Sequence, residues 1–200
     1  MLEVYLLRHG ETAYNADGNR YCGRTDIALT EKGINQAHGV HTQLAGLHFD
    51  AVFSSPLQRA YQTAQIASGL PEGVQKDSRL IEADFGRWEG KTKEEFIPES
   101  PELWADWCTN PEHTRAGGTG ETALQVVTRL DDFFNELTKR FARGRVMVVA
   151  HNGVNRLFMA YKLEMPLKNY RRIVQENSSI TLLDFDEQGD MTLKKLNSKI

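Results

Sequence analysis

Two histidines in this 200-residue chain each follow directly on a short apolar run. Val4-Tyr5-Leu6-Leu7 leads into Arg8-His9-Gly10, and Val146-Met147-Val148-Val149-Ala150 leads into His151-Asn152-Gly153. A third run, Phe49 to Phe53, is followed by Ser54-Ser55-Pro56 and then Arg59. A neutral imidazole holds a lone pair near pH 7 and serves as nucleophile or base. Arginine matches phosphate oxygens with two parallel hydrogen bonds. Taken singly, each residue reads first as an ordinary polar group at a strand end. Gathered in one place, two arginines and two histidines would form a cationic pocket with an imidazole able to attack phosphorus.

What could gather them is the order of elements. Residues 4–7, 49–53 and 146–150 read as strands, the last as a continuous apolar run of the kind buried on both faces. Helices are predicted over 30–47 with Thr30 as N-cap, over 57–68 stopped by Gly69, from Gly120-Glu121-Thr122 along the stripe Leu124, Val127, Leu130, Phe134 and Leu137, and over 154–163. Residues 179–185 and 191–196 read as the last strands. Strands separated by helices predict an α/β fold: a three-layer α/β/α sandwich with a mostly parallel sheet and helices on both faces. In such a sheet the carboxyl ends share one edge, where ligand crevices form. The chain is expected to be one domain, 1–200, with an irregular cap-like insertion around 71–120. That insertion holds Pro98, Pro101, Pro111 and Gly117-Gly118, with one or two short helices around Trp104 and Trp107, and it is expected to supply the leaving-group pocket.

Composition narrows the partners. The net charge of −3 gives no global attraction to nucleic acid or an anionic membrane, so an anionic ligand needs a local cluster of cations. Cys22 and Cys108 are too few for a disulfide framework or a zinc site and read as free thiols in a reducing compartment. No leader-like segment follows Met1 and no apolar run approaches the ~20 residues of a membrane span, so a cytoplasmic protein without membrane attachment is expected. His38 and His41 stand three apart on a predicted helix, but without a third ligand they read as a solvated face. Lys168, Arg171 and Arg172 also read as a solvated face. Thr119 or Gly120 is expected near the N-cap of the helix that follows. Trp104 and Trp107 read as packing, with a pocket role as the alternative.

Leu6-Leu7-Arg8-His9-Gly10-Glu11-Thr12, with Asn15 after it, resembles the signature of the histidine phosphatase superfamily, also called phosphoglycerate mutase-like. Similar blocks continue in order: Gly23-Arg24-Thr25-Asp26, Ser54-Ser55-Pro56-Leu57-Gln58-Arg59-Ala60, Leu80-Ile81-Glu82, Gly118-Thr119-Gly120-Glu121-Thr122 and Val148-Val149-Ala150-His151-Asn152-Gly153. The resemblance implies a phosphomonoester hydrolase that forms a phosphohistidine on His9. It implies phosphate binding by Arg8, Arg59, Asn15 and His151, with Glu82 as proton donor and the Gly10 carbonyl fixing the His9 tautomer. It further places Cys22, Gly23 and Asn152 against substrate. A protonated His151 is expected to help depress the His9 pKa, and Gly10 to let the backbone approach phosphate. Fixed cations can stabilise phosphoryl charge, so no metal or other cofactor is expected.

The expected substrate is a small phosphorylated metabolite, turned over by a monomer or homodimer. Phe85-Gly86-x-Trp88-Glu89 and the region of Trp107-Cys108 resemble α-ribazole phosphatases of cobalamin synthesis. A broad-specificity or sugar (bis)phosphate phosphatase, a phosphoglycerate mutase and a non-catalytic phosphate-binding module stay open.

Overall fold

Alternate residues of the two central strands point into opposite layers. In β1 (Leu2–Arg8), Leu2, Val4 and Leu6 join one apolar cluster and Leu7 the other. In β4 (Gly144–Ala150), Val146, Val148 and Ala150 face the first cluster while Met147 and Val149 face the second. An unbroken apolar run is therefore what a strand needs when both its faces are covered. The computed structural model describes residues 1–199 and contains a six-stranded sheet. The order across it is β3 (Gln75–Lys76), β2 (Ala51–Ser54), β4, β1, β5 (Ile180–Phe185), β6 (Met191–Ser198). The first four run parallel; β5 and β6 are antiparallel additions.

Helices α2 (Glu31–Gln43) and α3 (Gln58–Ser68) cover one face with Val40, Ala60, Ala64 and Ala67. Helices α6 (Ala123–Arg140) and α7 (Asn152–Lys162) cover the other with Val127, Leu130, Phe134, Leu157 and Phe158. Phe134 stacks on Phe158 at 4.0 Å between centroids, locking the two helices together. The three-layer α/β/α arrangement is as expected from the sequence. Among the described residues no helix is long and apolar enough to cross a membrane.

Differences are local. α6 is capped by Thr122, not by Thr119 or Gly120, because Thr122 and Gln125 form a reciprocal capping box. α7 starts at Asn152, immediately after His151. The segment 71–120 holds more structure than expected: β3, α4 (Lys93–Phe96), α5 (Pro101–Thr109) and several 3-10 turns. Trp88, stacked on Phe96 and flanked by Trp104 and Trp107, fastens it to the core. A further short helix, α1 (Ala13–Ala16), is capped by Thr12 and Asn15.

Candidate active site

His9 continues β1 by one residue: its N–H donates to the Ala150 carbonyl at 3.1 Å. Its ring is almost fully buried and lines a cavity of about 450 Å³ at the carboxyl edge of the sheet. Nδ1 lies 2.6 Å from the Gly10 carbonyl oxygen. A carbonyl only accepts, so Nδ1 carries the proton and Nε2 keeps its lone pair. Burial, Arg59 and Arg8 hold the imidazole well below its ordinary value of 6.5, opposed by the Gly10 hydrogen bond. It is neutral at pH 7.

The reason for Gly10 differs from the expected one. A Cβ there would collide with the backbone of Gly33, not with a ligand, and a Cβ on Gly33 would collide with Glu11. Two glycines thus let the loop after β1 lie directly on the first turn of α2. The Gly10 N–H donates to Thr63 Oγ1 at 3.0 Å, which ties the same loop to α3.

Arg59 and His151 are fully buried and form the layer behind the cavity wall. Arg59 donates from Nε to His151 Nδ1 at 3.2 Å, from Nη1 to the Thr25 carbonyl at 2.7 Å, and from Nη2 to the carbonyls of Cys22 and Gly23. The expected protonated His151 is not what the site holds. Its Nδ1 accepts from a cation, and burial, Arg59 and His9 keep the ring well below 6.5. His151 is neutral with its proton on Nε2, a buried atom with no partner among the described residues. It stands edge-on to His9, 5.1 Å between ring centroids.

Glu82 lines the cavity and is 4 % exposed. It caps α7 from outside the helix. Oε2 accepts from Gly153 N–H at 2.9 Å, and Oε1 from Val154 N–H at 3.0 Å and Ala83 N–H at 2.9 Å. A helix N-terminus offers unfilled donors and a positive dipole end, which explains the carboxylate there. Gly153 is required by this contact, since a Cβ would lie 2.7 Å from Oε1.

Arg8 is buried, donates from Nη1 to the Gln175 carbonyl at 2.9 Å, and keeps an unpartnered Nε among the described residues. Burial and Arg156 push it down to about 10, still charged at neutral pH. Asn15, Cys22 and Asn152 line the cavity; burial pushes the Cys22 thiol up to about 11. Gly23 does not line it: its N–H is taken by Glu89 and its carbonyl by Arg59. Of segment 71–120, Glu82, Phe85 and Lys93 reach the cavity. Most of the remaining wall comes from residues 15–22 and 152–176, which corrects the expectation that the insertion builds the pocket.

Of the basic run, Lys168 and Arg172 are exposed as expected, and only Arg171 departs. Arg171 lines the cavity, its guanidinium 4.7 Å from the Trp104 ring centroid and 4.9 Å from that of Tyr170. Arg156, Lys93 and Tyr170 also line it and escape sequence reading, because a cation on a helix face looks the same whether water or a ligand lies beyond. Among the described residues no group of three or more His, Cys, Asp or Glu is placed to hold a metal ion.

Known proteins resemble this one over nearly the whole chain. Phosphoserine phosphatase 1 of Hydrogenobacter thermophilus is 33% identical over 195 residues, 97% of this chain and 92% of the relative. The adenosylcobalamin/α-ribazole phosphatase of Escherichia coli is 32% identical over 199 residues, 99% of this chain and 97% of the relative. The solved structure of phosphoserine phosphatase from Entamoeba histolytica in complex with 3-phosphoglyceric acid superposes with a TM-score of 0.89 at 32% identity, covering 100% of this chain and 98% of that one. Residues 4–199 match the family description itself, and the chain belongs to the histidine phosphatase superfamily, branch 1.

Proposed function

We propose that the chain hydrolyses small phosphomonoesters in two steps through a phosphohistidine on His9. The observation that carries this is the Nδ1–H to Gly10 carbonyl contact on a neutral, buried ring, which leaves Nε2 as the nucleophile. In the first step Nε2 bonds to phosphorus while the phosphorus–oxygen bond to the alcohol breaks. Arg8, Asn15 and the Nε2–H of His151 receive the phosphoryl oxygens. Arg59 acts through His151 and by holding the loop 22–25. Glu82 gives a proton to the departing alkoxide, then takes one from the water that attacks the phosphohistidine, releasing inorganic phosphate. Oε1 accepts two backbone hydrogen bonds and Oε2 one, which leaves one lone pair on Oε2 to carry that proton. Every step uses side chains of this chain alone, and EDTA is expected to leave turnover intact.

Two readings of the alcohol compete. α-Ribazole 5′-phosphate is supported by the E. coli relative and by aromatic lining from Tyr21, Phe85 and Tyr170. An acidic alcohol is supported by the number of cations in the same wall. His9→Ala should abolish turnover and acid-labile phosphate labelling, and labelled, active His9→Ala protein would sink the mechanism. Turnover of an aryl phosphate separates the enzyme from a phosphate-binding module. Exchange between 3- and 2-phosphoglycerate would instead make it a mutase.

A further inference from the structure

Five cationic side chains line the cavity: Arg8, Arg20, Lys93, Arg156 and Arg171. Arg8 belongs with His9 and the phosphoryl group. Arg20 is neutralised by Asp17 and Glu95, each at 2.6 Å. Lys93, Arg156 and Arg171 form no ion pair among the described residues. The two lining carboxylates are engaged elsewhere, Glu82 by the N-terminus of α7 and Glu176 by Lys199.

The two arginines are positioned, not loose. Arg156 donates from Nε to the Asn152 carbonyl at 3.0 Å, and its guanidinium lies 5.2 Å from the Tyr170 ring centroid. Arg171 is held between Tyr170 and Trp104. Its Nε and Nη2 are buried and have no hydrogen-bond partner among the described residues. Buried guanidinium donors left unfilled are costly, and like charges crowded together add to that cost. An oxyanion placed against them removes both penalties, and a guanidinium fork fits carboxylate or phosphate oxygens. The phosphoryl group being transferred already has its own partners. A cavity of about 450 Å³ has room for a second anionic group on a small alcohol.

We propose that Arg156 and Arg171, with Lys93 beside them, form a second anion subsite that selects phosphomonoesters whose alcohol carries a carboxylate or a second phosphate. This rests on the phosphatase reading above and names the substrate class within it.

The experiment compares kcat/KM within matched pairs: 3-phosphoglycerate against glycerol 3-phosphate, and O-phosphoserine against O-phosphoethanolamine. 2,3-Bisphosphoglycerate tests the second-phosphate source, α-ribazole 5′-phosphate the uncharged alcohol, and p-nitrophenyl phosphate the basic chemistry. The expected wild-type preference for the acidic member of each pair is at least about tenfold, the scale of one charge-assisted hydrogen bond. Arg171→Gln and Arg156→Gln should each bring that ratio close to one, mainly through KM of the acidic substrate. The ratio within one preparation is independent of how much protein has folded. Should Arg171→Gln fail to fold because Trp104 loses its neighbour, Arg156→Gln decides by the same ratio. Turnover of p-nitrophenyl phosphate with no acidic preference, or variants that keep the preference, would overturn the subsite and leave the phosphatase standing. No turnover of any ester would overturn the phosphatase reading, and the subsite with it.

Discussion

Arg59 donates its Nε–H to Nδ1 of His151 at 3.2 Å, and that contact decides which ring nitrogen of His151 carries the proton. With Nδ1 occupied as an acceptor, the neutral ring presents Nε2–H, a donor suited to a phosphoryl oxygen. The same guanidinium holds three carbonyls of residues 22–25, so one side chain sets both a tautomer and a loop.

Arg59→Lys should therefore fail even though the charge is kept. A lysine ammonium has three donors on one atom and cannot reach four acceptors spread around a planar fork. The expected loss in kcat/KM is roughly 10- to 100-fold, with a stability loss of about 1–3 kcal/mol from carbonyls left unfilled. Steady-state kinetics and urea unfolding measure both. Wild-type values in this variant would remove Arg59 from the positioning role.

Glu82→Gln should harm poor leaving groups more than good ones. An alkoxide needs a proton, worth roughly 10²–10⁴ in rate, whereas p-nitrophenolate leaves without one. Rapid-quench measurement of the phosphorylation step should show the large loss with an alkyl phosphate and a much smaller one with p-nitrophenyl phosphate. Equal losses for both would argue that Glu82 only caps α7.

Acid should destabilise the free protein through its two buried imidazoles. The folded-state pKa values of His9 and His151 lie below the unfolded value near ~6.5. The unfolded chain then binds more protons as pH drops. Stability is full above that value and is lost as pH falls from ~6.5 toward the folded pKa values, by up to about 1.4 kcal/mol per pH unit for each ring. Urea unfolding between pH 7.5 and 5.5 should show a shallower decline for His9→Gln. Parallel curves for the two proteins would contradict the buried, neutral assignment.

Gly33→Ala offers a test whose sign runs against intuition. Within a free helix, alanine is more favourable than glycine by about 1 kcal/mol. Here the added carbon meets the Glu11 backbone, with its nitrogen 2.8 Å away. Overpacking of this kind costs roughly 1–3 kcal/mol, so net destabilisation is expected together with reduced turnover as the His9 loop is displaced. A stabilised and fully active variant would mean that the loop yields freely.

The central strands and the residues at their ends are legible in the sequence because an apolar run broken abruptly by Arg-His or His-Asn marks a buried strand reaching a polar edge. Thr30 as the cap of α2 is legible too, and its hydroxyl accepts from Gly33 N–H at 3.0 Å. β3 is not, being two exposed residues whose pairing depends on β2 arriving beside them. Nor is Gly33 as the partner of Gly10, since only the folded chain lays the loop after β1 on the first turn of α2. Arg171 reads as a solvated cation and Arg156 passes unnoticed, because local sequence says nothing about a wall completed by Trp104 from a distant part of the chain. Glu82 stands among several nearby acids, and only α7, whose N–H groups it caps, distinguishes it.

The placement of β1 has a consequence for how the protein is made. β1 is paired with β4 on one side and β5 on the other, and its Glu3 meets Arg145, 142 residues later. Contacts so distant are slow to form, because a long loop must close first. On the ribosome the first strand emerges early and must wait until residue 185 has appeared before both of its neighbours exist. Until then its apolar residues and unpaired edges remain exposed, a state prone to association. A nascent chain halted before β5 should therefore be held by chaperones rather than active, and enzymatic turnover becomes a report that β5 has been made and paired.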